Sequence, residues 1–190
     1  MTFATQITIF RILLIPVFVG FAIYYGQSVA AGTPDLVLRI AAIATFTIAA
    51  VSDAVDGYIA RHYNQRSRLG AILDPLADKC LLLSAILTLS FTDWGQQFPL
   101  WFPLLVIFRD VVTIAGAFII DHIAGTFKVH THWTGKVSTA LQMVAVLWIA
   151  IDLRVPPLIW PTALAGLFTT VSGFIYLVDG LRQIQRAGHD

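Results

Sequence analysis

Apolar residues occur in long runs along the whole sequence, separated by short stretches that contain glycine, proline or charged residues. Each run is close to the roughly 20 residues that an α-helix needs to cross the hydrocarbon core of a bilayer. The runs predict transmembrane helices over residues 9–27, 36–56, 70–92, 99–121, 137–153 and 157–179. The pattern therefore predicts an all-α, polytopic integral membrane protein: a six-helix bundle with a short N-terminal interfacial segment, forming one domain over residues 1–190.

The first apolar run is expected to be a retained helix and not a cleaved signal peptide. A signal peptide opens with a positively charged region before its apolar core. Here no lysine or arginine precedes Arg11, and Arg11 itself interrupts the apolar run.

Composition agrees with a membrane protein. Of the 190 residues, 57% are hydrophobic and 12% are charged, which leaves too little polar surface to cover a soluble domain. The formal net charge of +1 gives no basic field of the kind that attracts nucleic acid, so no nucleic-acid partner is expected. All of the acidic residues are aspartates.

The positions of the basic residues predict an orientation. They concentrate in the 61–69 loop, the 122–136 loop and the C-terminal tail, whereas the opposite connections hold only Arg39 and Arg154. Under the positive-inside rule the first set faces the cytoplasm. Both termini are then cytoplasmic, as an even number of spans requires, in a membrane of the bacterial inner or plasma type.

Four aspartates stand at or inside the ends of two neighbouring apolar segments. On a helix Asp53 and Asp56 are spaced i, i+3, and Asp74 and Asp78 are spaced i, i+4, so each pair shares a helix face. A short basic loop joins the two segments. They are therefore expected to pack as antiparallel neighbours with their carboxylates converging.

Converging carboxylates in a bilayer indicate a cation site. Each costs about 2.5–3.5 kcal/mol at a helix centre, and mutual repulsion adds to that cost. Hard divalent cations relieve both effects, and two of them suit a diphosphate substrate. The residues alone leave two alternatives open: the aspartates of a transporter relay, and small residues that serve only helix packing.

The spacing of these residues resembles the full signature of the CDP-alcohol phosphotransferase family. The pattern reads Asp53-x-x-Asp56-Gly57-x-x-Ala60-Arg61, then eight residues, then Gly70-x-x-x-Asp74-x-x-x-Asp78. The resemblance implies a membrane enzyme, typically a homodimer, that uses CDP-diacylglycerol as donor.

The resemblance also implies roles for the signature residues. The aspartates would hold two divalent cations, Mg²⁺ or Mn²⁺, on the donor diphosphate, the ligands being Asp53, Asp56, Asp74 and Asp78. Asp78 would in addition be the general base that deprotonates the acceptor hydroxyl. The small and basic members would line the CDP site: Gly57, Ala60, Arg61 and Gly70.

The acceptor is predicted from further segments. Residues 8–16 and 74–79 resemble the phosphatidylglycerophosphate synthases of this family, whose acceptor is glycerol 3-phosphate. Arg109, inside the fourth apolar run, and Lys136, at the start of the fifth, are candidates for binding the acceptor phosphate. The simpler alternatives are an ion pair between Arg109 and Asp110, and a positive-inside anchor at Lys136.

Two other functions remain as alternatives. Residues 109–112 and 135–142 are also similar to cardiolipin synthases of the same superfamily, whose acceptor is phosphatidylglycerol. A transporter with an aspartate relay would explain the intramembrane carboxylates, but it gives no reason for Gly57, Ala60, Arg61 and Gly70 at their spacings. The favoured prediction is phosphatidyl transfer to glycerol 3-phosphate with release of CMP.

Overall fold

The computed structural model describes the backbone of residues 3–62, 68–124 and 133–187 and the side chains of residues 6–52, 77–116 and 133–180. All regular secondary structure within these ranges is α-helical, which confirms the all-α prediction. The helices are α1 (Phe3–Ala30), α2 (Leu36–His62), α3 (Arg68–Phe91), α4 (Trp101–Ala124), α5 (Trp133–Ala150) and α6 (Ile159–Ala187).

Two described stretches are long and apolar enough to cross a membrane, Gln6–Ala30 and Ile159–Gly180, and Leu36–Ser52 is a shorter apolar stretch. Only 22% of the apolar window in Gln6–Ala30 is buried inside the protein. Its large side chains therefore face outward, as Leu13 does with 62% exposure. An outward-facing apolar surface of this size suits a lipid environment, so the chain is membrane-associated.

Each helix extends beyond its predicted apolar run at one end or at both, whereas α3, α4, α5 and α6 stop short of the run at the other end. α1 begins at Phe3, so the segment expected at the interface continues into α1 as one helix. α2 runs on to His62, and α5 starts at Trp133. Hydropathy locates the apolar part of a helix, whereas the helix itself continues through small, polar and charged residues beyond it.

The chain divides into two compact units, the first made of Met1–Gln97 with Val146–Asp152. In this unit α1 contacts both α2 and α3, and α2 contacts α3. Arg11 is bonded to Asp78, and the indole Nε1 of Trp94 donates to the carbonyl of Ala22 at 3.1 Å. Since residue numbers rise together at both contacts, α1 and α3 run parallel.

The C-terminal ends of α1 and α3 approach closely. A Cβ atom on Gly26 would lie 2.8 Å from Thr92 Cβ, so only glycine fits at this point of α1. Beside it the rings of Tyr25 and Trp94 meet edge to face, with centroids 4.5 Å apart. Arg39, on α2, donates to the carbonyl of Ala150 at 2.9 Å. This end of the first unit is thus fixed by aromatic packing and hydrogen bonds.

The second unit consists of Phe98–Ala145 and Leu153–Asp190. In it α4 contacts α6, and the two helices run parallel because Gly166 abuts the ring of Trp101 while Gly173 abuts the side chain of Arg109. The first part of α5 is tied to α6 by buried polar groups. Ser138 Oγ lies 2.8 Å from Thr169 Oγ1.

Candidate active site

The signature residues lie on two helices of the first unit. Most of them stand on the C-terminal part of α2, namely Asp53, Asp56, Gly57, Ala60 and Arg61, and the others on the N-terminal half of α3, namely Gly70, Asp74 and Asp78. Of these side chains only that of Asp78 belongs to the described residues. The convergence of the aspartate carboxylates therefore stays a prediction.

The carboxylate of Asp78 is bound by an arginine of another helix. Arg11 Nη1, on α1, lies 2.8 Å from Asp78 Oδ1. The Arg11 side chain is fully buried, whereas that of Asp78 is 36% exposed. Asp78 is therefore fixed by a buried guanidinium while its own side chain keeps a surface that another molecule can reach.

The start of the α2 signature lies against the same part of α1. A cavity of about 460 Å³ is lined by Phe10 and its neighbours on α1 and by residues of α2 that end at Ser52. Ser52 immediately precedes Asp53, and Phe10 immediately precedes Arg11. One turn of α1 thus lies near both the backbone that carries Asp53 and the side chain of Asp78.

In the second unit Arg109 is bound by side chains of its own helix and of α6. Its Nη1 donates to Asp110 Oδ1 at 2.8 Å and its Nη2 to Ser172 Oγ at 3.1 Å. Its guanidinium also lies over the ring of Tyr176, 5.9 Å from the centroid. The ion pair with Asp110 that the sequence left open is therefore present. Nε is buried, and within the described ranges it has no hydrogen-bond partner.

The guanidinium of Arg109 occupies a space that glycines keep open. A Cβ atom on Gly135, at the start of α5, would lie 3.2 Å from Arg109 Nη2, and one on Gly173 would lie 3.3 Å from Arg109 Cγ. Lys136 follows Gly135 directly and is exposed. The backbone directly before one candidate cation therefore adjoins the guanidinium of the other.

Sequence reasoning assigned no site role to Arg11, Ser172 or Tyr176. Arg11 had a usable signal, since it is the only charged residue between Gln6 and Ala30. A lone charge in an apolar helix needs a partner elsewhere in the chain. Ser172 and Tyr176 gave no comparable signal, because hydroxyl groups are common in apolar helices.

Comparisons of the sequence with known proteins identify its family and several relatives. A sequence model of the CDP-alcohol phosphatidyltransferase family matches residues 1–177. The chain is 35% identical over 147 residues to CDP-diacylglycerol–glycerol-3-phosphate 3-phosphatidyltransferase of Escherichia coli (strain K12), an alignment that covers 76% of this chain and 74% of the relative. Proteins of the same name from Shigella flexneri serotype 5b and Shigella sonnei match with the same identity and coverage.

Proposed function

Because the chain belongs to the CDP-alcohol phosphatidyltransferase family, we propose that it transfers the phosphatidyl group of CDP-diacylglycerol to glycerol 3-phosphate. The products are phosphatidylglycerophosphate and CMP. The names of the relatives from Escherichia coli and Shigella support this choice of acceptor. Residues 1–190 act as a single catalytic domain in this proposal.

The observation that carries the proposal is that one turn of α1 binds Asp78 of α3 and lies beside the residues of α2 that precede Asp53. Arg11 binds Asp78 of α3, and the neighbouring Phe10 lines a cavity with Ser52 of α2. The two helices that carry the signature, α2 and α3, also contact each other. In this proposal the aspartates of both helices face a common space.

The donor set suits hard divalent cations. We assign two of them, Mg²⁺ or Mn²⁺, to the four signature aspartates, because carboxylate oxygens are the ligands that such ions prefer. When bound, these ions supply positive charge to the donor diphosphate and to the departing phosphate of CMP. Arg61 adds a cation for the same phosphates, and the small residues Gly57, Ala60 and Gly70 leave room for CDP beside the helix backbones.

The transfer step exchanges one P–O bond for another. The acceptor hydroxyl oxygen forms a bond to the phosphorus of the phosphatidyl group, and the bond from that phosphorus to the CMP oxygen breaks. Asp78 accepts the hydroxyl proton as general base. Its 36% exposure keeps it within reach of an acceptor, and Arg11 fixes one of its oxygens.

The acceptor phosphate binds Arg109 and Lys136 in this proposal. The Arg109 side chain is 11% exposed, and an anion that reaches its guanidinium gains a charge-assisted hydrogen bond. Lys136 adds an exposed charge next to Gly135. Asp110 holds the guanidinium in place while the phosphate is absent.

The proposed setting is a bilayer of the bacterial inner-membrane type. All six helices span it, with the active site and both termini on the cytoplasmic side, where the basic loops lie. The enzyme acts as a homodimer, as the resemblance to the family implies. Light scattering of the detergent-solubilised chain, corrected for bound detergent, tests this state: a mass of two chains is expected, and a mass of one contradicts it.

The acceptor is tested by supplying candidates one at a time. Purified protein is given CDP-diacylglycerol and Mg²⁺ or Mn²⁺, with glycerol 3-phosphate, phosphatidylglycerol or no acceptor, and CMP release and the lipid product are measured by mass spectrometry. We expect CMP and phosphatidylglycerophosphate only with glycerol 3-phosphate. Cardiolipin formed from phosphatidylglycerol identifies the other synthase, and ion flux across proteoliposomes without CMP release identifies a transporter.

A further inference from the structure

Arg11 is a charged residue in a place where a charge is costly. It lies on α1 within the apolar stretch Gln6–Ala30, and its side chain has no solvent-exposed surface. A buried guanidinium is strongly destabilising unless an anion and further hydrogen bonds compensate it. The structure supplies that anion as the carboxylate of Asp78 on α3, a residue 67 positions further along the chain.

The identity of the residue that Arg11 binds indicates a role beyond packing. A buried ion pair is weak evidence of stability, since well-packed apolar residues of similar size often serve as well. Here the carboxylate that Arg11 binds is the one proposed to take the acceptor proton and to ligate a cation. A side chain with two such tasks must hold one orientation, and a free aspartate on a helix has several rotamers.

We infer that Arg11 is a positioning residue for the transfer reaction: it fixes the orientation of the Asp78 carboxylate by binding Oδ1. This inference rests on the proposed function of Asp78. It assigns Arg11 no contact with substrate. Because the groups that orient a metal ligand affect binding of the metal as well as turnover, loss of Arg11 weakens cation affinity through Asp78.

The test is a double-mutant cycle on cation binding without substrate. Mn²⁺ is titrated into the detergent-solubilised full chain, and free Mn²⁺ is measured by electron paramagnetic resonance for wild type, Arg11→Met, Asp78→Asn and the double variant. We expect Arg11→Met to weaken Mn²⁺ binding about 10-fold or more, the range seen for groups that orient metal ligands. In the Asp78→Asn background the same change has less than about a twofold effect, because the group on which Arg11 acts is absent.

A matched control separates this effect from the loss of any buried arginine. Arg39→Met removes another guanidinium of the same unit, which binds the carbonyl of Ala150 and lies over the ring of Tyr25. It is expected to leave Mn²⁺ affinity unchanged. A second readout is turnover: Arg11→Met lowers kcat, while KM for glycerol 3-phosphate stays within about threefold of wild type.

Three results overturn the inference: unchanged Mn²⁺ affinity in Arg11→Met, an equal loss of affinity in both backgrounds, or an equal loss in Arg39→Met. If Arg11→Met does not yield folded protein, the cycle with Arg11→Lys decides in the same way, since lysine keeps the charge but not the planar fork. The proposed function can fail separately. If the enzyme uses a different acceptor, its product changes, but the coupling between Arg11 and Asp78 is still expected. If the enzyme uses glycerol 3-phosphate and the two residues are not coupled, only the role of Arg11 is refuted.

Discussion

Arg109 of α4 donates a 3.1 Å hydrogen bond from Nη2 to the hydroxyl oxygen of Ser172 on α6. With the ion pair from Nη1 to Asp110, this bond holds the guanidinium from two sides. An arginine fixed in this way binds an anion without losing much further side-chain freedom. The proposed role of this fixed guanidinium in acceptor binding can be tested by kinetics.

Arg109→Lys is expected to raise KM for glycerol 3-phosphate by about 10- to 100-fold, because a hydrogen bond to a charged group contributes roughly 1.5–3 kcal/mol. KM for CDP-diacylglycerol should stay within about threefold, since the donor binds elsewhere. Steady-state kinetics with each substrate varied in turn measure both. Arg154→Lys, on an exposed arginine, is the control with the same chemical change. An unchanged KM for glycerol 3-phosphate in Arg109→Lys would remove this residue from the acceptor site.

Gly135→Ala tests whether the space around Arg109 matters. The new Cβ would lie 3.2 Å from Arg109 Nη2 and 3.4 Å from Ser172 Oγ, so the guanidinium must move by a few tenths of an ångström. We expect KM for glycerol 3-phosphate to rise about 3- to 10-fold, which corresponds to about 1 kcal/mol. Gly116→Ala is the control, because no atom lies within 4 Å of its Cβ position. Equal kinetics in the two variants would show that the position of the guanidinium is not critical.

Lys136→Gln should raise KM for glycerol 3-phosphate less than Arg109→Lys does, because an exposed ammonium in water contributes only about 0–1 kcal/mol to an ion pair. The difference between wild type and Lys136→Gln should shrink as salt concentration rises, since salt screens exposed charges. KM measured over a salt series tests this. A difference that persists undiminished at high salt would argue against a screened electrostatic contact.

Gly26→Ala is expected to destabilise the first unit. Its Cβ would lie 2.8 Å from Thr92 Cβ and 3.2 Å from the backbone nitrogen of Asp93, and backbone moves less readily than a side-chain tip. Overpacking of this kind costs about 1–3 kcal/mol, so Tm in detergent should fall by several degrees. Gly20→Ala, with nothing within 4 Å of its Cβ position, should be neutral or slightly stabilising. Equal Tm values would contradict the close approach of α1 and α3.

The proposed orientation predicts which loops a membrane-impermeant thiol reagent can reach. Cys80 is exposed and is first replaced, as Cys80→Ser. Thr33→Cys, between α1 and α2, should then be labelled on intact cells, and Ser67→Cys, between α2 and α3, only after the membrane is permeabilised. The reverse pattern would invert the topology, and labelling of both on intact cells would exclude six spans.

Hydrophobic patterning predicted the helices well and their contacts hardly at all. Apolar runs identify the apolar part of a helix, and each of α1 to α6 overlaps its predicted run. The C-terminal end of α2 and the N-terminal end of α5 fall outside those runs, because residues 57–62 and 133–136 include small, polar and charged residues that interrupt an apolar pattern. The sequence thus located the elements but not their full lengths.

In the candidate site, too, the sequence predicted local relations between residues but not contacts between distant ones. The spacing of Asp74 and Asp78 gives a shared helix face, because that relation is local. The bonds from Arg11 to Asp78 and from Arg109 to Ser172 join residues more than sixty positions apart. Such pairs depend on which faces of two helices meet and in what register, and helical periodicity carries neither.

The central claim is that aspartates of α2 and α3 hold two divalent cations for transfer from CDP-diacylglycerol, and the number of Mn²⁺ ions bound per chain in the presence of CDP tests it most directly. Wild-type protein and the control Asp35→Asn, whose carboxylate caps α2 through the backbone nitrogen of Val37, should each bind two Mn²⁺. Replacing any one signature aspartate by asparagine should lower the number of bound Mn²⁺ ions and slow CMP release at least about 100-fold. The variants are Asp53→Asn, Asp56→Asn, Asp74→Asn and Asp78→Asn. Two Mn²⁺ ions per chain in every folded aspartate variant, or none in wild type, would contradict the account.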